Sequence, residues 1–249
     1  MKYFGFLIVV SLISIFSISN AQIVIGNEND NLKNTKKVKP SRIQDGKTSV
    51  FFLANISQTS RTLIENKQPF GDSLGFRADE NALNKWSFGI GLRNQLNGRL
   101  FWEGGISLLR NGERYDYNAI DSAFSYKTSY SYIGMPVKLS FQYGKKISLF
   151  ANAGLIPQIY FDYKKEERWK TTEGNEDVQT INVKEGYPPN SFALSALFNI
   201  GISIKMQEKW SLFIMPEYRV QLNSTYNEYD KYIHKAKAIG LSFGLYRNL

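Results

Sequence analysis

Histidine occurs once, at His234, and it is the only side chain suited to acid–base work near neutral pH. A hydrolase would need it beside a carboxylate and a serine or an activated water. Asp230 and Glu228 are close in sequence, yet no serine motif accompanies them. Asp116, Asn118 and Asp121 offer oxygen ligands, but their spacing matches no calcium loop. A glycine-rich phosphate loop is also lacking. Cysteine is absent, which removes disulfides, thiolate nucleophiles, thiolate metal sites and an N-terminal lipid-bearing cysteine. The expectation is no catalytic set, no metal and no cofactor. A surface lipid- or peptide-hydrolysing barrel enzyme using His234 is the alternative.

The remaining polar candidates are Arg93, Glu103, Lys138, Asn152, Asn199, Glu217 and Arg219, with Gln142 and Gln158 beside them. Each sits in a run where every second residue is apolar. Around Lys138, the residues Tyr132, Gly134, Pro136, Ser140 and Gln142 alternate with Ile133, Met135, Val137, Leu139, Phe141 and Tyr143. Gly144-Lys145-Lys146 turns the chain. Ser148, Phe150, Asn152, Gly154 and Gln158 then alternate with Ile147, Leu149, Ala151, Ala153, Leu155 and Ile159. Period two marks strands, so Ser131 to Asp162 reads as one long β-hairpin. The polar face holds small and uncharged residues where a water-exposed strand would carry many Lys, Glu and Thr. That pattern predicts a confined interior behind an apolar, lipid-facing wall.

The same alternation recurs over Ser49–Ile56, Trp86–Leu96, Leu100–Leu108, Ser191–Lys205, Trp210–Leu222 and Lys235–Leu245. Eight strands result, an even number that closes an antiparallel up-and-down transmembrane β-barrel. Long polar connections (Ser57–Lys85, Arg110–Ser129, Tyr163–Asn190, Asn223–His234) alternate with short turns. Short turns on the periplasmic side and long loops outside are the arrangement expected of such a barrel. Tyr143, Trp102 and Trp210 would form one aromatic girdle, and Trp86, Tyr130, Tyr163 and Phe192 the other. A three-residue turn at Leu96-Asn97-Gly98 keeps the faces consistent and makes Arg93 and Glu103 diagonal neighbours. A three-residue Gly144–Lys146 loop would set Lys138 opposite Asn152. Pro136, Pro157 and Pro216 conflict with ladder bonding, so bulges or strand ends are expected there.

Ahead of the strands, Met1–Ala21 has a basic start, a short apolar run and small residues before Gln22, as a cleaved signal peptide does. Residues 22–46 are polar with mixed charge and read as a flexible periplasmic leader. Residues 47–249 make the barrel domain.

Tyr132-Ile133-Gly134-Met135-Pro136-Val137-Lys138 resembles the aromatic-aliphatic-x-aliphatic-Pro strand of the small outer-membrane β-barrel proteins of the Bacteroidota, the PorT-like family. Ala151-Asn152-Ala153-Gly154-Leu155-Ile156-Pro157 is similar to that family's small-residue strand. The resemblance runs from Trp86 to Leu249. It implies an outer-membrane barrel without catalytic residues, accessory to protein secretion. The final Tyr246-Arg247-Asn248-Leu249 departs from the terminal aromatic common in such barrels.

A formal net charge of +9 favours acidic partners such as lipopolysaccharide phosphates. The expected partners are outer-membrane lipid, lipopolysaccharide and an envelope protein complex, with no nucleic acid and a monomeric chain. An eight-stranded interior is just filled by side chains, so the interior charges read as a polar plug. A small passive channel is the competing reading. The charged Tyr163–Asn190 segment, with Trp169, Lys170, Glu176 and Asp177, is the candidate partner loop.

Overall fold

The computed structural model describes residues 48–65, 80–118, 123–170, 175–182, 190–225 and 232–249. The expected signal and leader lie outside them. Ten strands carry the described chain. They are β1 (Thr48–Glu65), β2 (Glu80–Asn97), β3 (Leu100–Asn118), β4 (Ala123–Gly134), β5 (Val137–Gly144), β6 (Ile147–Lys170), β7 (Glu176–Ile181), β8 (Phe192–Lys205), β9 (Trp210–Gln221) and β10 (Tyr232–Asn248). All pairings are antiparallel, and the order β1-β2-β3-β4/β5-β6-β8-β9-β10 returns to β1. The sheet is therefore a closed barrel of eight positions. β4 and β5 share one position, each lying between β3 and β6. Among the described residues β7 pairs only with β6, off the ring.

The alternation read from the sequence is the alternation of the wall. Trp86, Phe88, Ile90, Leu139, Ile200, Leu241 and their neighbours are exposed on the outside, while the intervening residues are buried. Along Trp86–Leu96, about 3.3 Å per residue and a tilt near 40° give an apolar band on the order of 25 Å tall. Inside, Phe51, Phe150, Phe213, Met215 and Tyr246 form one buried cluster. Leu109, Tyr130, Tyr132, Ile156, Ala193 and Leu197 form another. Glycine makes the first possible. A Cβ on Gly91 would lie 2.6 Å from the Phe51 ring, and one on Gly244 2.6 Å from Phe213. The lumen is filled by aromatic rings as well as polar groups.

Several expectations need correction. The opening hairpin has a broken first arm, because the chain at Pro136 separates β4 from β5, while both keep the same register against β3 and β6. Pro157 stays inside β6, opposite that break, and its carbonyl accepts from Met135 N at 2.8 Å. Pro216 stays inside β9, opposite Leu241. Neither makes a bulge or an end. The bulges lie at Leu96 and Phe161, and a third irregularity separates Ala82 from Phe88. Because Leu96 is skipped, Gly98 (φ 31°) and Arg99 make the turn, and Arg93 faces Glu103 directly. Lys138 faces Gly154 and Ser140 faces Asn152, a shift of two residues that preserves the faces.

The long connections are also shorter than expected. β1 runs nine residues past Ile56 to Glu65, and β3 continues to Asn118. Most of Tyr163–Asn190 that is described is strand. Trp169 pairs with Asp177 and Lys170 with Glu176, so the candidate partner loop is a β-ribbon. Tyr130 is inward and buried, with Tyr163 packed on it, and neither belongs to an outer girdle.

Candidate functional site: two charge clusters in the lumen

β2, β3 and β5 are neighbours in the ring, and their inward positions bring three of the expected residues together. Glu103 is buried between two cations. Lys138 Nζ lies 2.6 Å from its Oε2 and Arg93 Nε lies 3.4 Å from its Oε1. The Tyr246 hydroxyl donates to Glu103 Oε1 at 3.2 Å. Arg93 Nη2 donates to Gln142 Oε1 at 2.7 Å, and its guanidinium lies over Phe101 at 4.0 Å. Two basic side chains hold one buried carboxylate, which is how a buried charge is made tolerable.

Glu217 and Arg219 form a separate, looser group. Ser242 Oγ donates to Glu217 Oε2 at 2.8 Å and accepts from Asn55 Nδ2 at 2.8 Å. Arg219 Nη2 donates to Asn111 Oδ1 at 3.0 Å, and its Nη1 is 3.9 Å from Glu217. Asn152 and Asn199 are opposite each other on β6 and β8, yet neither side-chain amide has a hydrogen-bond partner among the described residues. The continuous polar network expected across all seven residues is therefore two clusters with the amide pair apart.

A further cluster was not found in the sequence. It sits beyond the apolar band, five residues past Leu108, Ile56 and Ile239 on their strands. Glu113 is buried among Tyr130, His234 and Arg61. Tyr130 donates to its Oε1 at 3.1 Å, His234 Nε2 lies 3.7 Å from its Oε2, and Arg61 Nη1 is 3.9 Å from Oε1. Arg61 binds Glu80 through Nη2 at 2.5 Å and Nε at 3.1 Å. Burial alone would raise the Glu113 carboxyl, but His234, Arg61 and the Tyr130 hydroxyl outweigh it and hold it below the ordinary carboxylate range. Parity could have placed Arg61 and Glu113 inside, but nothing local pairs either with a histidine more than a hundred residues away.

This cluster encloses His234. It is 1% exposed, and its Nδ1 lies 2.8 Å from Thr225 Oγ1, which also accepts from Gln221 at 3.1 Å. A hydroxyl, an imidazole and a carboxylate are thus in line, as in a hydrolytic triad. The hydroxyl, however, is itself buried. The nearby 340 Å³ cleft is lined by Arg61, Glu80, Glu113 and Lys237, and neither Thr225 nor His234 reaches it. Asp230 and Glu228 lie outside the described residues. Asp116, considered for calcium, is held by Arg114 at 2.6 Å.

The geometry defines a closed antiparallel barrel of eight positions whose lumen is packed with side chains. No protein-family model matches the chain, and no curated protein matches it. Among solved structures, it is similar to Neisserial surface protein A, with 14% identity and TM-score 0.38, covering 81% of this chain and 97% of that one. OprG of Pseudomonas aeruginosa aligns at 7% identity and TM-score 0.43, covering 82% and 96%. AlkL, solved in lipid bilayers, aligns at 11% identity and TM-score 0.39, covering 90% and 97%. These are small outer-membrane barrel proteins; the pairings within this chain carry the fold independently.

Proposed function

We propose that this protein is a non-enzymatic outer-membrane β-barrel with a structural or interaction role, recognising its partner at the long-loop, extracellular end. The observation that carries the reading is where free surface remains. The apolar wall suits lipid, and the middle of the lumen is packed, with a cavity at its short-turn end. Beyond the band, the β6–β7 ribbon presents Arg168, Trp169, Lys170, Glu176, Asp177 and Val178 in exposed positions. Phe124 of β4 braces Trp169, with ring centroids 4.0 Å apart. Such a braced aromatic among charges is the kind of anchor protein interfaces use.

Cleavage after Ala21, the PorT-like resemblance and a role accessory to secretion within an envelope complex belong to this reading. The motifs around Pro136 and Gly154 support them. Lipopolysaccharide is the lipid partner. Arg110, Lys127 and Lys164 face outward just beyond the band, and Lys85 lies across the outer wall to hydrogen-bond Ser129. Their height suits phosphates of an outer leaflet.

The test replaces residues 171–185 with a short Gly-Ser link. That leaves the β4–β6 pairs from Ala123↔Lys170 to Lys127↔Glu166 in place. The expected variant is a folded, heat-modifiable barrel that no longer captures its envelope partner by cross-linking. Full capture by a folded variant would move recognition elsewhere. His234→Gln checks the hydrolase alternative, which requires loss of turnover on lipid or peptide substrates. Single-channel recording checks the passive channel: large stable openings would contradict the packed lumen.

A further inference from the structure

A cavity opens at the short-turn end, and of the interior residues expected from sequence Arg93 and Gln142 line it. It is a vestibule of about 640 Å³. Its lining includes four cations, Arg93, Arg99, Lys145 and Lys205, and no carboxylate. The other polar lining is rich in donors: Ser49, Ser148, Ser203 and Ser211, with Gln95, Gln142 and Asn248. The floor does not cancel the charge. Glu103, beneath Arg93, is shared with Lys138, so this layer holds two cations for one carboxylate.

The walls are built, not loose. Arg93 is 4% exposed and fixed by Gln142 and Phe101. Arg99 lies over the Tyr143 ring at 4.7 Å. Ser49 Oγ donates to Asn248 Oδ1 at 2.7 Å across the seam of β1 and β10. Lys205 N donates to the Lys146 carbonyl at 2.8 Å, tying one turn to the next strand's end. A concave site with one sign of charge over low-dielectric walls concentrates counter-charge. Its volume falls in the range of small-molecule sites.

We propose that this vestibule binds a small, soluble, multiply phosphorylated anion. Phosphate oxygens accept from several donors at once, and Arg99, Lys145 and Lys205 supply charge at three sides of the mouth. Arg93, Gln142, Ser148 and Ser203 of the lining face the lumen, with the apolar wall between them and lipid, which favours a soluble source over the membrane phosphates that Arg99, over the outward Tyr143 ring, could also meet. The site is independent of the ribbon at the opposite end.

Pyrophosphate is the probe, titrated calorimetrically into the full-length barrel in zwitterionic detergent. Saturable binding is expected, weakening at least tenfold in the Arg99→Gln/Lys145→Gln/Lys205→Gln variant. All three side chains are exposed, and heat-modifiability verifies that the variant is folded. Lys237→Gln, at the other cleft, should bind like the parent. Phospholipid vesicles bearing anionic headgroups should not compete with pyrophosphate. The proposal is overturned by no saturable binding, by equal affinity in the triple variant, by an equal loss in Lys237→Gln, or by competition from the vesicles.

Discussion

Glu103 and Glu113 are ten residues apart on one strand, both buried, and they live under different rules. Glu103 lies within the apolar band, between Lys138 and Arg93. Glu113 lies beyond the band, beside a cleft, with a histidine and a tyrosine among its partners. The first lies inside the apolar wall, at the floor of the short-turn vestibule, and is matched by Lys138 at 2.6 Å and Arg93 at 3.4 Å. The second is near water, where weaker and longer contacts suffice. At equal burial, the carboxylate level with the apolar wall has the closer basic groups, at 2.6 and 3.4 Å against 3.7 and 3.9 Å.

The largest effect should come from Glu103→Ala. It leaves Arg93 and Lys138 without their shared anion, at a cost of about 3–5 kcal/mol for a broken buried pair. Equilibrium unfolding in lipid measures it. A double-mutant cycle with Lys138→Met should return strong coupling, and additivity would remove the ion pair from the account.

Outside the wall, the same contrast of depth predicts that Leu139→Arg, beside Lys138, loses about 2–4 kcal/mol. Gln58→Arg, outward and next to the Glu113 level, should lose on the order of 0–1 kcal/mol. Equal losses at the two sites would put the edge of the lipid in the wrong place.

Glu113→Gln should have a smaller effect than Glu103→Ala, about 1–3 kcal/mol, by losing hydrogen bonds to a charged acceptor. Its pH dependence separates the two levels. The folded Glu113 carboxyl is held below its unfolded value, so its contribution is complete above roughly pH 4.3, the ordinary glutamate value. It is lost as the pH falls through the depressed folded value. The gap between parent and variant should therefore close in strong acid, read as converging unfolding midpoints. A gap that stays constant down to strong acid would show that the carboxyl is not ionised in the cluster.

Much of this was legible because lipid imposes contrast. Where one face meets hydrocarbon, Ile90, Ile106, Leu139 and Phe198 cannot be confused with Gly91, Ser107, Ser140 and Asn199, and the inward charges follow by parity. Above the band both faces meet polar surroundings. Tyr126-Lys127-Thr128-Ser129-Tyr130 then alternates without showing which side is inner, and strand reads as loop. Phe161 adds a residue that exchanges the two faces of β6 midway. The charged members of the Glu103 cluster lie on β2, β3 and β5, close in sequence and parity, and only Tyr246 joins them from β10. The Glu113 cluster joins β1, β3, β4 and β10, and only the closed ring brings them together. Registers slipped by two because a bulge at Leu96 and a loop at residues 145–147 leave the facing pattern unchanged.

The seam between β1 and β10 has a consequence in time. Every other neighbouring pair in the ring follows chain order, but this one runs from Ser49↔Asn248 to Glu65↔Tyr232, and Leu249 N donates to the Thr48 carbonyl at 3.0 Å. The first strand must hold one unsatisfied edge until the last arrives. Any shorter stretch of the chain carries two bare edges, and such edges recruit foreign strands. Joining partners so distant also adds loop-closure entropy, which slows assembly. Ring closure is thus the slow, aggregation-exposed step of this molecule's folding, and a tether that brings Thr48 and Leu249 together beforehand should speed it.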